Sequence, residues 1–127
     1  MSADDAFELS AAGLRFDGVE LSVAVELLAR RLEQALPDRT RTERRAKRLL
    51  SSQKQVRSID VELGPWVFSL RNDDGRVEGW REKRVGGIAI RREPLDLSAW
   101  IVALTGALQA EAQRSDEART ALAQLLG

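Results

Sequence analysis

The 127-residue chain contains no cysteine, no histidine and no tyrosine. Without cysteine there can be no disulfide, no thiol nucleophile and no thiolate metal site. Without histidine, Ser-His-Asp hydrolysis, His-based zinc coordination and phospho-His relays are excluded, and the side chain most used for acid–base work near neutral pH is missing. Chemistry built on Asp, Glu, Lys or Ser remains open, so the composition points away from catalysis without forbidding it. Long apolar runs are lacking too, and none approaches the roughly 20 residues that a membrane-spanning helix requires. The start, Met1-Ser2-Ala3-Asp4-Asp5, is acidic and has no basic-then-apolar signal pattern. The expectation is a non-enzymatic cytoplasmic protein without cofactor or metal.

A content of 43% hydrophobic and 31% charged residues is that of a globular chain, and the length suits one domain, 1–127, with a real core. Its organising stretch runs from Val56 to Arg91. Ile59, Val61 and Leu63 alternate with Ser58, Asp60 and Glu62. After Gly64-Pro65, Trp66, Phe68 and Leu70 alternate with Val67, Ser69 and Arg71. Period-2 alternation places the apolar groups on one face of a strand, so these two runs read as an antiparallel pair. Asn72-Asp73-Asp74-Gly75 reads as a type I turn with a glycine bulge, which would set Phe68 opposite Trp80; a simple four-residue loop would pair Phe68 with Gly79. A third strand is expected over 76–84 and a fourth over 87–91. Val85-Gly86-Gly87-Ile88 fits either a tight hairpin or a bulge in one long strand.

Helical periodicity flanks this meander. Leu14 to Leu21, around Asp17-Gly18, reads as a miniature hairpin or lead-in strand, with residues 1–6 frayed. Ser22 then caps a helix whose face is Leu21, Val25, Leu28, Leu32 and Leu36, and Pro37 stops it. Downstream, Asp96 or Ser98 caps a long helix on the rhythm Leu97, Ile101, Leu104, Leu108, Glu111, Ser115, Ala118, Leu122, Leu125. It either continues past the polar Glu111 and Ser115 or breaks and restarts with Ser115 as a cap. Its thin final stripe, Ala118, Leu122, Leu125 and Leu126, is the candidate oligomer contact. The fold expected is α+β: an N-terminal helix, a three- to four-stranded antiparallel meander and a long C-terminal helix, with residues 22–36 and 97–113 covering one face of the sheet.

Net charge is zero but unevenly placed. Residues 39–57 carry Arg39, Arg41, Arg44, Arg45, Lys47, Arg48, Lys54 and Arg57 against one acid, Glu43. This stretch, 39–55, reads as a basic connector or a short helix, Thr42 to Ser51, capped through Thr40 and Glu43 and facing Ala46, Leu49 and Leu50 inward. Arg41, Arg44, Arg45, Lys47 and Arg48 are the candidate contacts to nucleic acid or to a partner. An anionic lipid surface is a weaker possibility, and a solvated loop is the plain alternative.

The other features resolve to structure. Asn72 to Gly75 lacks the alternating ligands and the closing Glu of a calcium loop. Ser51, Ser52 and Ser98 have no base, and Lys83 sits in the solvated run Arg81-Glu82-Lys83-Arg84. Gly86-Gly87 lacks the phosphate-loop spacing. Trp66, Phe68 and Trp80 among Arg71, Arg76 and Arg81 have the makings of a base-stacking platform, but aromatics at period 2 in a small α+β domain are more often core.

The order helix, meander, helix is similar to that of the small nucleoid-associated dimers of the YbaB type, a likeness of topology that shares no motif. The resemblance implies dimerisation and nucleic-acid contact. The sequence thus supports two readings: a non-catalytic interaction or scaffold protein acting as a homodimer, and a nucleic-acid-binding accessory protein using residues 39–57.

Overall fold

The computed structural model describes residues 18–46, 54–73 and 75–126. In chain order the elements are α1 (Gly18–Ala35), β1 (Thr40–Ala46), β2 (Lys54–Leu63), β3 (Trp66–Asp73), β4 (Arg76–Val85), β5 (Ile88–Leu95), α2 (Leu97–Ala112) and α3 (Asp116–Leu126). The strands form one antiparallel sheet in the order β1-β2-β3-β4-β5, each pairing with its neighbour in sequence. The α+β class stands. The sheet has five strands where three or four were expected, and the C-terminal helix is two helices.

Alternation decides which face of the sheet is covered. Val56, Ile59, Val61 and Leu63 on β2 and Phe68 and Leu70 on β3 are buried against α1 and α2 in one cluster with Leu32, Leu36, Trp100, Leu104 and Leu108. Gly79 makes the close approach of α2 possible. A Cβ there would lie 2.7 Å from the Leu95 carbonyl oxygen, 2.9 Å from Leu70 and 3.1 Å from Trp100. Trp100 uses that space and meets the Phe68 ring edge-on, with centroids 6.2 Å apart. On the apolar faces of these strands and helices, Leu32, Ile59, Val61, Phe68, Leu70 and Leu104 are buried, and Leu28 and Ile101 pack partly against them. Ile88, at the tip of the β4–β5 hairpin, is 68% exposed, and among the described residues it is not part of the buried cluster.

The largest revision concerns residues 40–46. They form the edge strand β1, not a connector or a helix, and Thr40, Thr42 and Ala46 pair with Val61, Ile59 and Lys54. Thr40, Thr42 and Arg44 turn toward α1 while Arg41, Glu43 and Arg45 turn away. Both faces are polar, so apolar periodicity could not reveal the alternation. A charged strand of this kind is what a guarded sheet edge looks like. Lys47, Arg48, Leu49, Leu50, Ser51 and Ser52 lie outside the described residues, as do residues 1–6 and Leu14 to Asp17.

Three turns also differ from expectation. α1 begins by Gly18, so Val19 to Leu21 is helical rather than the second arm of a hairpin, and Ser22 lies inside the helix instead of capping it. The β3–β4 turn is shorter than either alternative considered: Asp73 pairs with Arg76, which sets Phe68 opposite Arg81 and Ser69 opposite Trp80. Asn72 is buried and fully used there, its amide donating to the Val56 carbonyl and the Ser22 hydroxyl and its Oδ1 accepting from the Gly75 N–H at 3.0 Å. The β4–β5 connection is a tight hairpin in which Val85 pairs with Ile88, and Gly86 and Gly87 take positive φ values of 59° and 81°. That conformation is the one a two-residue turn requires, and glycine adopts it without strain.

At the C-terminus the chain takes the second of the two alternatives, a break, in place of one long helix. Asp96 caps α2 by accepting from the Ala99 N–H. Ser115 restarts the chain as α3, its hydroxyl accepting from the Ala118 N–H at 3.2 Å. α3 folds back onto α1. Ala118 and Ala121 are buried and Leu122 and Leu125 pack against the core. Among the described residues no helix is long and apolar enough to cross a membrane.

Candidate interaction face

Among the described residues, three helices lie on one side of the sheet and no element covers its other face. Its residues follow from strand parity: Arg41 on β1, Asp60 and Glu62 on β2, Val67, Ser69 and Arg71 on β3, Trp80, Glu82 and Arg84 on β4 and Arg92 on β5. Together they line a shallow basin of about 490 Å³. Trp80 stands in its floor with the guanidinium of Arg92 4.2 Å and that of Arg71 4.9 Å from its ring. One arginine reaches it from β5 and the other from β3, so the indole is held upright between two strands. Each such contact contributes about 0.5–1 kcal/mol at an exposed position.

Some charges of this face are already matched. Asp60 accepts from the Ser69 hydroxyl at 2.6 Å and from Arg71 at 3.3 Å. Arg84 pairs with Glu82 at 2.9 Å. Arg41 and Arg92 have no carboxylate partner among the described residues. The basin therefore presents an aromatic ring and two cations that form no ion pair among the described residues, set among internally matched pairs.

The basic segment singled out in the sequence is divided by the strand it forms. Arg41 belongs to the open face. Arg44 points the other way and ties β1 to α1: its Nη2 lies 2.6 Å from Glu33 Oε1 and 3.4 Å from Glu26 Oε1, and its Nη1 is 3.2 Å from the Thr42 hydroxyl. Arg45 pairs with its neighbour Glu43 at 3.0 Å, Arg39 reaches Glu117 on α3 at 3.7 Å, and Arg57 reaches Asp73 at 3.4 Å. Lys47 and Arg48 are outside the described residues. No single cationic surface forms from the described part of this segment.

The Arg44 hydrogen bond holds the Glu33 carboxyl below its ordinary pKa; burial opposes it, and the Arg44 charge and the Thr42 hydroxyl each add a smaller lowering. Arg44 is raised in turn, first by the same hydrogen bond. A carboxylate whose pKa is depressed in the folded chain stabilises it above the unfolded value, about 4.3, and that contribution disappears as pH falls through the lower folded value. Stability should therefore decline below about pH 4.5. Arg44→Ala should flatten that part of the profile and cost about 1 kcal/mol at neutral pH, since the three side chains are only partly buried. Urea midpoints measured from pH 3 to 7 on both proteins check this; parallel profiles would contradict it.

The aromatic platform read from the sequence is likewise split. Phe68 is core. Trp66 lies on the helix side of the sheet under Arg81, 4.4 Å from its ring, and Arg81 is anchored by Glu93 at 2.6 Å. The Arg81 hydrogen bond lowers the Glu93 pKa. Trp80 and Arg71 stay on the open face, as does Arg76 by strand parity, and Arg41 and Arg92, which sequence reasoning had not associated with them, join Trp80 there. The signal that could have found them is parity: once Trp80 is placed opposite Ser69, every polar-face residue follows.

The candidate oligomer stripe is largely internal. Ala118 is buried, Leu122 and Leu125 serve the fold, and Leu126 alone stays exposed, at 64%. Among the described residues no group of three or more His, Cys, Asp or Glu side chains converges as a metal site would need. Compared with protein-family models, with curated proteins and with solved structures, the chain matches none. The five-stranded sheet with two helices after it also departs from the three-stranded meander that the YbaB-type topology carries.

Proposed function

We propose that this chain is a non-catalytic cytoplasmic interaction protein that binds a protein partner through the open face of its sheet. The observation carrying this reading is Trp80 held between Arg71 and Arg92 beside the unmatched Arg41. Trp and Arg are the residues that most often dominate binding energy at protein interfaces, and a ring already held in place loses little freedom on binding. The partner's chemistry follows from the charges. Asp60, Glu62 and Glu82 line the same basin, so a uniformly anionic phosphate backbone would meet repulsion as well as attraction. A protein surface that places carboxylates at Arg41 and Arg92 and leaves Glu62 and Glu82 facing its own polar or basic groups fits the pattern better.

The competing class is nucleic acid, and a gel-shift titration separates the two. With duplex and single-stranded DNA at low salt, where weak non-specific binders register, no shift should occur. A salt-sensitive shift that disappears in the Arg41→Glu, Arg92→Glu double variant would overturn the protein-partner reading and make the same face a nucleic-acid site.

A further inference from the structure

The two edges of the sheet are guarded unequally. β1 is charged along most of its length. β5 is protected only in its second half, by Arg91, Arg92 and Pro94; its first half is Ile88-Ala89-Ile90, with no charge. Ile88 and Ile90 are 68% and 58% exposed, and Val85, paired with Ile88, is 56% exposed. Among the described residues no element lies along this half of the edge.

Hydrogen bonding shows which backbone groups are free there. In a two-residue hairpin the flanking pair, Val85 and Ile88, exchanges its backbone bonds internally. The next pair, Arg84 and Ala89, is then of the type whose backbone groups point outward. Arg84 fits this, since its N–H donates to the Pro65 carbonyl at 2.7 Å, on the side away from β5. Ala89 accordingly turns its N–H and C=O toward the open edge. Beyond it the register shifts between Lys83 and Arg84, leaving Ile90 as a bulge opposite no partner, and the regular edge ends.

We infer that the Ile88–Ile90 edge of β5 pairs antiparallel with the same edge of a second copy, with the two-fold axis at Ala89. The register follows from charge. An axis near Arg91 or Arg92 would set like-charged guanidinium groups of the two copies against each other. An axis at Ala89 sets Ile88 beside the second copy's bulged Ile90 and sets Arg91 opposite Gly87, which has no side chain to obstruct it. The two Ala89 residues exchange both backbone hydrogen bonds, and their small side chains let the strands close. This site is independent of the Trp80 basin and does not rest on the function proposed for it.

The absence of cysteine makes the test clean. In a hydrogen-bonded antiparallel pair the opposed Cα atoms stand about 5.5 Å apart, within the range a disulfide spans. Ala89→Cys should therefore give a disulfide-linked dimer under mild oxidation, at concentrations where Gln109→Cys on the exposed side of α2 stays monomeric. Because a residue on a two-fold axis meets itself, Ala89→Glu and Ala89→Arg should each lower the mass seen by light scattering to that of the monomer. Their equimolar mixture should restore the dimer. Cross-linking no faster than in the Gln109→Cys control would overturn the inference. So would a dimer that survives both charged variants, because its interface would then lie elsewhere.

Discussion

Trp100→Ala should destabilise the fold by about 3–5 kcal/mol, the range found for removing a large aromatic from a closed core. Trp100 is fully buried, sits between α2 and the sheet and meets Phe68 edge-on. Its removal would leave a void that Gly79 below it cannot fill. Trp100→Phe should recover most of the loss. The indole Nε1 is buried and has no hydrogen-bond partner among the described residues, so phenylalanine sacrifices packing area but relieves an unsatisfied donor. Denaturant midpoints for the three proteins check the order. A phenylalanine variant as unstable as the alanine variant would mean that the indole nitrogen is satisfied after all.

The second large effect comes from adding one methyl group. Gly79→Ala should cost about 1–3 kcal/mol, because the new Cβ meets the Leu95 carbonyl at 2.7 Å and Leu70 at 2.9 Å. A backbone oxygen cannot step aside as a flexible side chain can, so strand β5 or helix α2 must move. The same substitution at Gly106, where nothing lies within 4 Å of the added Cβ, should stabilise by about 0.5–1 kcal/mol through helix propensity alone. Opposite signs for one chemical change, read from thermal melts, would confirm the packing at Gly79. Equal effects would contradict it.

The residues that alternate apolar with polar, Ile59 to Leu63 and Trp66 to Leu70, announced two strands and their buried face correctly. The helix stripes were equally plain, while Asp96 and Ser115 were each one of two alternatives that the sequence left open. What failed has two physical causes. β1 alternates threonine with arginine, so neither face is apolar and the period carries no hydrophobic contrast; its tertiary role as an edge over α1 overrode the local appearance of a capped helix. At the β3–β4 turn, the sequence Asn-Asp-Asp-Gly fits turns of several lengths. A one-residue difference in register moves a strand's side chains to the opposite face. Setting Trp80 against Phe68 placed it in the core. The observed pairing with Ser69 puts it on the open face, and with that shift the candidate site itself changes from the basic segment to the basin around Trp80. Arg44, conspicuous in the sequence as a free cation, turned out to be structural because two glutamates on α1 wait on the inner side of β1.

The claim that binding belongs to the open sheet face is tested most directly by site-resolved photo-cross-linking in cells. A photoreactive amino acid would be placed in turn at Val67 and Glu82 on the open face and at Val102 and Gln109 on the helical side. The open-face positions should yield one discrete adduct that is destroyed by protease, resists nuclease and disappears when Arg41 and Arg92 are both changed to glutamate. The helical positions should yield none. Adducts from Val102 or Gln109 with none from Val67 or Glu82 would contradict the account and move the binding surface to the helices.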